Sequence, residues 1–233
     1  HVLPARPDLA PRAAGSYLGV RISCSIIRSP PQIDSAARPK DGNATQWRST
    51  QTPGAKMSLE QIGKAAKRVI AAFQRRPDMG VHADAPAVAR WDAGTRVSVR
   101  HADGMEVLTD MPVELGGTGD QVTPGWLFRA GLASCAATSI TLAAASEGME
   151  LTALEVHVGS RSDARGLLGM SEANGAPVYA GPFEVEMHVT IAANGASAAA
   201  IESMVTGCLK HSPVPSALAT ATPMALRVNV ASA

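Results

Sequence analysis

Three cysteines, Cys24, Cys135 and Cys208, are the residues best suited to covalent chemistry in this chain. The thiolate, not the thiol, is the nucleophile, so a reactive cysteine needs a partner that favours its charge. Cys135 shares a helical face with Phe128, Gly131, Leu132, Thr138 and Ser139. Such apolar and small surroundings equally suit a buried structural cysteine. It falls in mid-helix, away from the N-terminal dipole, so activation calls for a cation brought from elsewhere in the fold. Cys208 lies among Met204, Val205 and Leu209, the pattern of a core position. His211 and Ser212 sit where the second long helix breaks, and no sequence spacing makes a Cys-His or Ser-His pair of them. Arg96 and Arg100 alternate with Val97 and Val99 and fit a solvated strand face. Neither a P-loop, a Gly-rich dinucleotide turn, a nucleophile elbow nor paired C-x-x-C spacing is present, so neither a cofactor nor a metal is expected.

The elements that must position these residues follow from local signals. Ser58 with Gln61 forms a capping box, Leu59, Ile62, Ala66, Ile70 and Phe73 fall near one helical face, and Pro77 ends the helix. Residues 88–91 and 96–100 are predicted as strands, the second by strict alternation. Asp103-Gly104 supplies a hairpin turn, Met105 to Met111 the returning strand, and residues 116–119 a flexible loop. Thr123-Pro124 opens a long helix that Gly148 closes; it is apolar or small on nearly every side and is expected to be buried almost all round. Strands are predicted for residues 154–159 and 183–191, with a long loop over 161–180 between them. Ser197 caps a second long helix to about Lys210. Pro213-Val214-Pro215 breaks it, Ser216 to Thr220 resumes it briefly, and Ala225 to Val230 forms a last strand. This order describes a single α+β domain.

The 233 residues suffice for one such domain plus an extension. Residues 1–56 hold seven of the sixteen prolines and no sustained apolar period. Their eight Lys/Arg face three acids, whereas the remaining 177 residues carry 13 basic and 17 acidic side chains. They are expected to be a disordered basic leader or a non-native extension, with a targeting peptide as the alternative. The domain is expected over residues 57–233, with the N-terminal helix at 57–77 and the core at 88–230. Aromatics at 3% and a net charge of +1 speak against base stacking and a nucleic-acid footprint. Three cysteines cannot build a disulfide framework, and a cytoplasmic setting without membrane attachment is the simpler expectation. Leu127 to Ala145 contains Arg129 and many Ala, Ser and Thr, and reads as a buried helix rather than a membrane span.

Glu114-Leu115-Gly116-Gly117, then Thr123 through Cys135 (TPGWLFRAGLASC), and finally His211-Ser212-Pro213-Val214 with Ser216-Ala217-Leu218 together resemble the OsmC/Ohr superfamily. The resemblance covers about 140 residues, from near Val88 to Val230. It implies an OsmC-like fold: an antiparallel sheet, a long buried central helix, a second long helix and an intertwined homodimer with two active sites at the interface. It also implies thiol peroxidase chemistry on organic hydroperoxides. In that chemistry a peroxidatic Cys is stabilised as thiolate by an Arg from the N-terminal strands. A Glu holds the Arg, and a second Cys resolves the sulfenic acid as a disulfide. Cys135 falls on the peroxidatic position. Ser212 stands at the resolving position and Gly125 at the Glu position. Arg96 matches the Arg approximately, with Arg100 in reserve.

The loss of the resolving thiol leaves two routes. Cys208, one turn before Ser212, could supply an alternative resolving thiol, although a disulfide needs Cα atoms within about 7 Å. Otherwise Cys135 works alone and an external thiol reductant resolves it. The expected function is therefore a thiol-dependent, peroxidase-like protein that reduces organic hydroperoxides through Cys135. The alternative is a catalytically silent OsmC-fold protein that holds a small hydrophobic ligand at the dimer interface.

Overall fold

The computed structural model describes residues 21–26, 57–220 and 222–230. The chain folds as α+β, with two three-stranded sheets around a long central helix. Residues 21–26, within the stretch expected to lack structure, form β1 (Arg21–Ile26). The rest of the leader lies outside the described residues. Helix α1 (Leu59–Arg75) starts at Ser58, and both halves of the capping box are made, Gln61 N–H to Ser58 Oγ and Ser58 N–H to Gln61 Oε1. It packs on the central helix at Gly63, where a Cβ would collide with the Ala145 carbonyl.

The first sheet is an antiparallel meander of β2 (Val88–Ala93), β3 (Arg96–Arg100) and β4 (Glu106–Thr109). Strand β2 is exposed along its whole length, and Trp91 is 74% exposed. The second sheet has the order β1-β6-β5, formed with β5 (Glu150–Arg161) and β6 (Phe183–Asn194). β5 and β6 run antiparallel with Val156 opposite Val189, whereas β1 adds to β6 in parallel. The expected antiparallel sheet is thus present, with β1 added in parallel at one edge. Val185, Met187, Val189 and Ile191 alternate into the core, as a strand with one covered face requires.

Helix α2 (Pro124–Glu147) is capped by Thr123 and closed by Gly148 in the left-handed conformation that glycine adopts freely, φ 73°. It packs against β5, α1, α4 (Ala198–Leu209) and α5 (Pro213–Thr220). Leu132, Ala136, Ile140 and Ala144, one per turn, bury a single stripe against the core. The expectation of burial all round is thus corrected for the single chain: Trp126, Ser134, Thr138 and Leu142 lie exposed. By length and composition α2 could cross a membrane. Its buried stripe instead faces Met187, Val189, Ile191, Ile201, Met204 and Val205.

Three further expectations change. The loop over 161–180 contains a short helix, α3 (Ala164–Leu167), and a bridge between Ser171 and Pro177. The second long helix ends at Leu209 as expected, but Pro213-Val214-Pro215 belongs to the resumed helix, opening α5, because proline suits a first turn whose N–H groups need no intrahelical partner. Among the described residues no strand pairs with 222–230, and Met224, Leu226, Val228 and Val230 stand 72–91% exposed. Their alternation is that of a strand, but a strand exists only with a partner beside it.

Candidate active site

Cys135 lies midway along α2, half-buried, on the side of the helix that meets the start of α5. Its sulfur is 3.2 Å from Ser212 Oγ. The Val214 backbone N–H donates to the same sulfur at 3.4 Å. Ser139, one turn after Cys135 on α2, donates its hydroxyl to Ser212 Oγ at 3.0 Å. Ser212 is fully buried, directly before Pro213 at the head of α5. Two positions 77 residues apart in sequence thus meet across a hydrogen bond. Pro213 and Pro215 carry no N–H, so Val214 offers the donor among the first three residues of α5. Ser139 and the Val214 amide were not singled out as site groups by the sequence. Ser139 occupies the same face as Cys135, which is the signal that could have found it.

Arg96 is not brought to Cys135 within one chain. Its guanidinium donates to Asp110 at 3.2 Å, to Thr118 at 2.7 Å and to Asp120. Asp110 is 2% exposed. Its carboxylate accepts from the Thr95 and Thr118 hydroxyls and from the Met111 and Thr118 amides. These bonds, Thr95 first and Thr118 next, hold its pKa well below the ordinary carboxylate range, while burial opposes them. The cluster pins the loop expected to be flexible at 116–119 onto β4, and a Cβ at Gly117 would collide with the Met111 carbonyl. Arg100 pairs with Glu106 on the neighbouring strand at 2.9 Å. Among the described residues, no guanidinium hydrogen-bonds the Cys135 sulfur.

The alternative thiol is also placed elsewhere. Cys208 packs against the core, and its S–H donates to the Val205 carbonyl at 3.3 Å. Burial pushes its thiol pKa up, which leaves it a poor nucleophile. Cys24, Cys135 and Cys208 are all free thiols. Gly125, at the first turn of α2, brings no carboxylate; Arg129 Nη1 would stand 3.8 Å from a Cβ there and bonds Ser160 Oγ at 3.4 Å. A hollow of about 440 Å³ between the start of α1 and the end of α2 is lined by Lys64, Lys67, Glu147 and Glu150. Ala145 on its wall lies ten residues, about 15 Å, along α2 from Cys135.

Residues 117–227, which contain both Cys135 and Ser212, match the family model described as OsmC-like protein. Over those residues, slightly less than half of the chain, the protein is OsmC-like. Arg96 lies outside the matched residues. The search of curated proteins finds no match. Solved structures similar to this chain include an OsmC like protein from Mycoplasma pneumoniae, 17% identical, covering 59% of this chain and 89% of that one with a TM-score of 0.49. An organic hydroperoxide resistance protein OsmC from Legionella pneumophila is 21% identical over 60% of this chain and 93% of its own, TM-score 0.44. The organic hydroperoxide resistance protein OhrB of Bacillus subtilis is 18% identical over 59% and 92%, TM-score 0.40.

Proposed function

We propose that this OsmC-like domain reduces organic hydroperoxides with Cys135 as its single redox-active thiol. The observation that carries the reading is the contact between the Cys135 sulfur and Ser212, 3.2 Å apart at the positions where the superfamily's two redox cysteines are expected. The Cys135 sulfur attacks one oxygen of the hydroperoxide, the O–O bond breaks, and the alkoxide leaves and takes up a proton as alcohol. Among the described residues no thiol is hydrogen-bonded to Cys135 to resolve its sulfenic acid, since Ser212 forms no disulfide and Cys208 faces the core. An external thiol therefore attacks the sulfenic sulfur and displaces water. A second thiol then releases Cys135 as a mixed disulfide breaks. One hydroperoxide and two thiols yield one alcohol, one disulfide and one water.

A homodimer belongs to the same proposal. In one chain the Ser134, Thr138 and Leu142 face of α2 and the whole of β2 lie open, and residues 222–230 have no partner strand among the described residues. A second copy would cover these surfaces and enclose an apolar approach to Cys135. The test is stopped-flow oxidation of the reduced protein by cumene hydroperoxide and by hydrogen peroxide, beside Cys135→Ser, with intact-mass analysis. Fast oxidation that prefers the organic peroxide, vanishes in Cys135→Ser and adds one oxygen is expected. Oxidation no faster than that of an ordinary free cysteine would reject the reading and leave ligand binding.

A further inference from the structure

Two polar groups contact the Cys135 sulfur, and a third stands behind one of them. Ser139 spends its proton on Ser212 Oγ. Ser212 Oγ is fully buried between two partners, the Ser139 hydroxyl and the Cys135 sulfur. The Val214 amide spends its hydrogen on that sulfur too. With Ser139 donating to Ser212, the sulfur is placed to accept two hydrogen bonds, one from the Ser212 hydroxyl and one from the Val214 amide. The Ser139 and Ser212 hydroxyls and the Val214 amide thus converge on the sulfur, an arrangement that favours its charged form.

We infer that Ser212, oriented by Ser139, and the Val214 amide stabilise the negative sulfur of Cys135, the task that a guanidinium would otherwise perform. This deepens the function proposed above and rests on Cys135 being the reacting thiol. Ser212 is then a polar support for the nucleophile rather than an empty remnant of a resolving position. The Arg96 guanidinium is spent on Asp110, Thr118 and Asp120, and the hydroxyl–amide pair supplies the hydrogen bonds that favour a charged group over its neutral form. Ser139 and Ser212 touch each other across α2 and the head of α5, so the support forms only when those two elements are docked.

The test uses alkylation, so that it does not depend on peroxide turnover. Full-length wild type, Ser212→Ala, Ser212→Thr and Ser139→Ala are treated with iodoacetamide from pH 5 to 10, and the Cys135 peptide is followed by mass spectrometry. Removing a hydrogen bond to a charged group costs about tenfold to hundredfold, so Ser212→Ala should alkylate that much more slowly at pH 7. Its rate–pH profile should move to higher pH. Ser139→Ala should move the same way by less, because it removes only the orienting bond, and Ser212→Thr, which keeps the hydroxyl, should stay near wild type. An unchanged profile in Ser212→Ala, or faster alkylation at every pH, would overturn the inference. If Ser212→Ala does not fold, an unchanged profile in Ser139→Ala overturns it equally. A wild type inert to cumene hydroperoxide but with the expected profile shifts would remove the peroxidase reading and keep the hydrogen-bonded support.

Discussion

Ser212→Cys should turn a one-thiol site into a two-thiol site. The Cys135 sulfur and Ser212 oxygen are 3.2 Å apart, against an S–S bond of about 2.05 Å. The longer C–S bond of the new side chain closes part of the difference, and the remainder, on the order of 1 Å, lies within side-chain rotation. The bridge would span 77 residues. In the chain-entropy account a loop of that size is worth about 4.5 kcal/mol, an upper value because strain subtracts from it. For a protein of this size each kcal/mol moves Tm by about 2–4 °C, so the oxidised variant should melt up to roughly 9–18 °C above its reduced form. The reduced variant is treated with one equivalent of cumene hydroperoxide. Its thiols are then counted in denaturant, its intact mass is taken without reductant, and the oxidised and reduced samples are melted. Loss of two thiols, loss of two hydrogens and a higher Tm are expected. Persistence of all four thiols, or oxygen accumulating on Cys135 without a bridge, would refute the facing geometry of α2 and α5 on which the site rests.

Other perturbations test the surrounding framework. Gly63→Ala should destabilise the protein by about 1–3 kcal/mol in urea unfolding, since its Cβ meets the Ala145 carbonyl and α1 must shift off α2. Cys208→Ser should leave peroxide oxidation of Cys135 at the wild-type rate, because its sulfur is turned to the Val205 carbonyl; a large loss would reinstate it as a resolving thiol. Asp110 has a folded-state pKa below its unfolded value near 4. It thus contributes stability that is fully present above that value and is lost as pH falls below about 4. Thermal melts from pH 7 to 3 should show a shallower acid limb in Asp110→Asn, and equal slopes would contradict the carboxylate's assigned role.

The elements with local punctuation were legible in the sequence. Ser58 with Gln61, Thr123-Pro124 with Gly148, and Ser197 each mark a helix end through contacts within four residues. Strand limits were less so: β5 begins at Glu150 because β6 continues to Asn194 opposite it, a partner 44 residues away. The same non-locality hides β1, whose pairing with Glu186 to Ile191 crosses most of the chain. At the site, motif resemblance located Cys135 and Ser212, and the structure adds their contact. The commitment of Arg96 to Asp110 and Asp120 could not be seen, because those acids lie 14 and 24 residues away and alternation alone places Arg96 on an open face. Pro213-Val214-Pro215 misled for a simple reason: proline ends helices and begins them, and only the direction of the following chain separates the two.

Residues 222–230 carry a consequence for handling the protein. Met224, Leu226, Val228 and Val230 expose one apolar edge, and Arg227 is the single charge among them. An uncovered alternating apolar segment of this kind is prone to pair with another chain, and one arginine is a thin gatekeeper. Any chain that leaves this segment uncovered will be colloidally unstable, and aggregation rising steeply with protein concentration should track the exposure of this short tail.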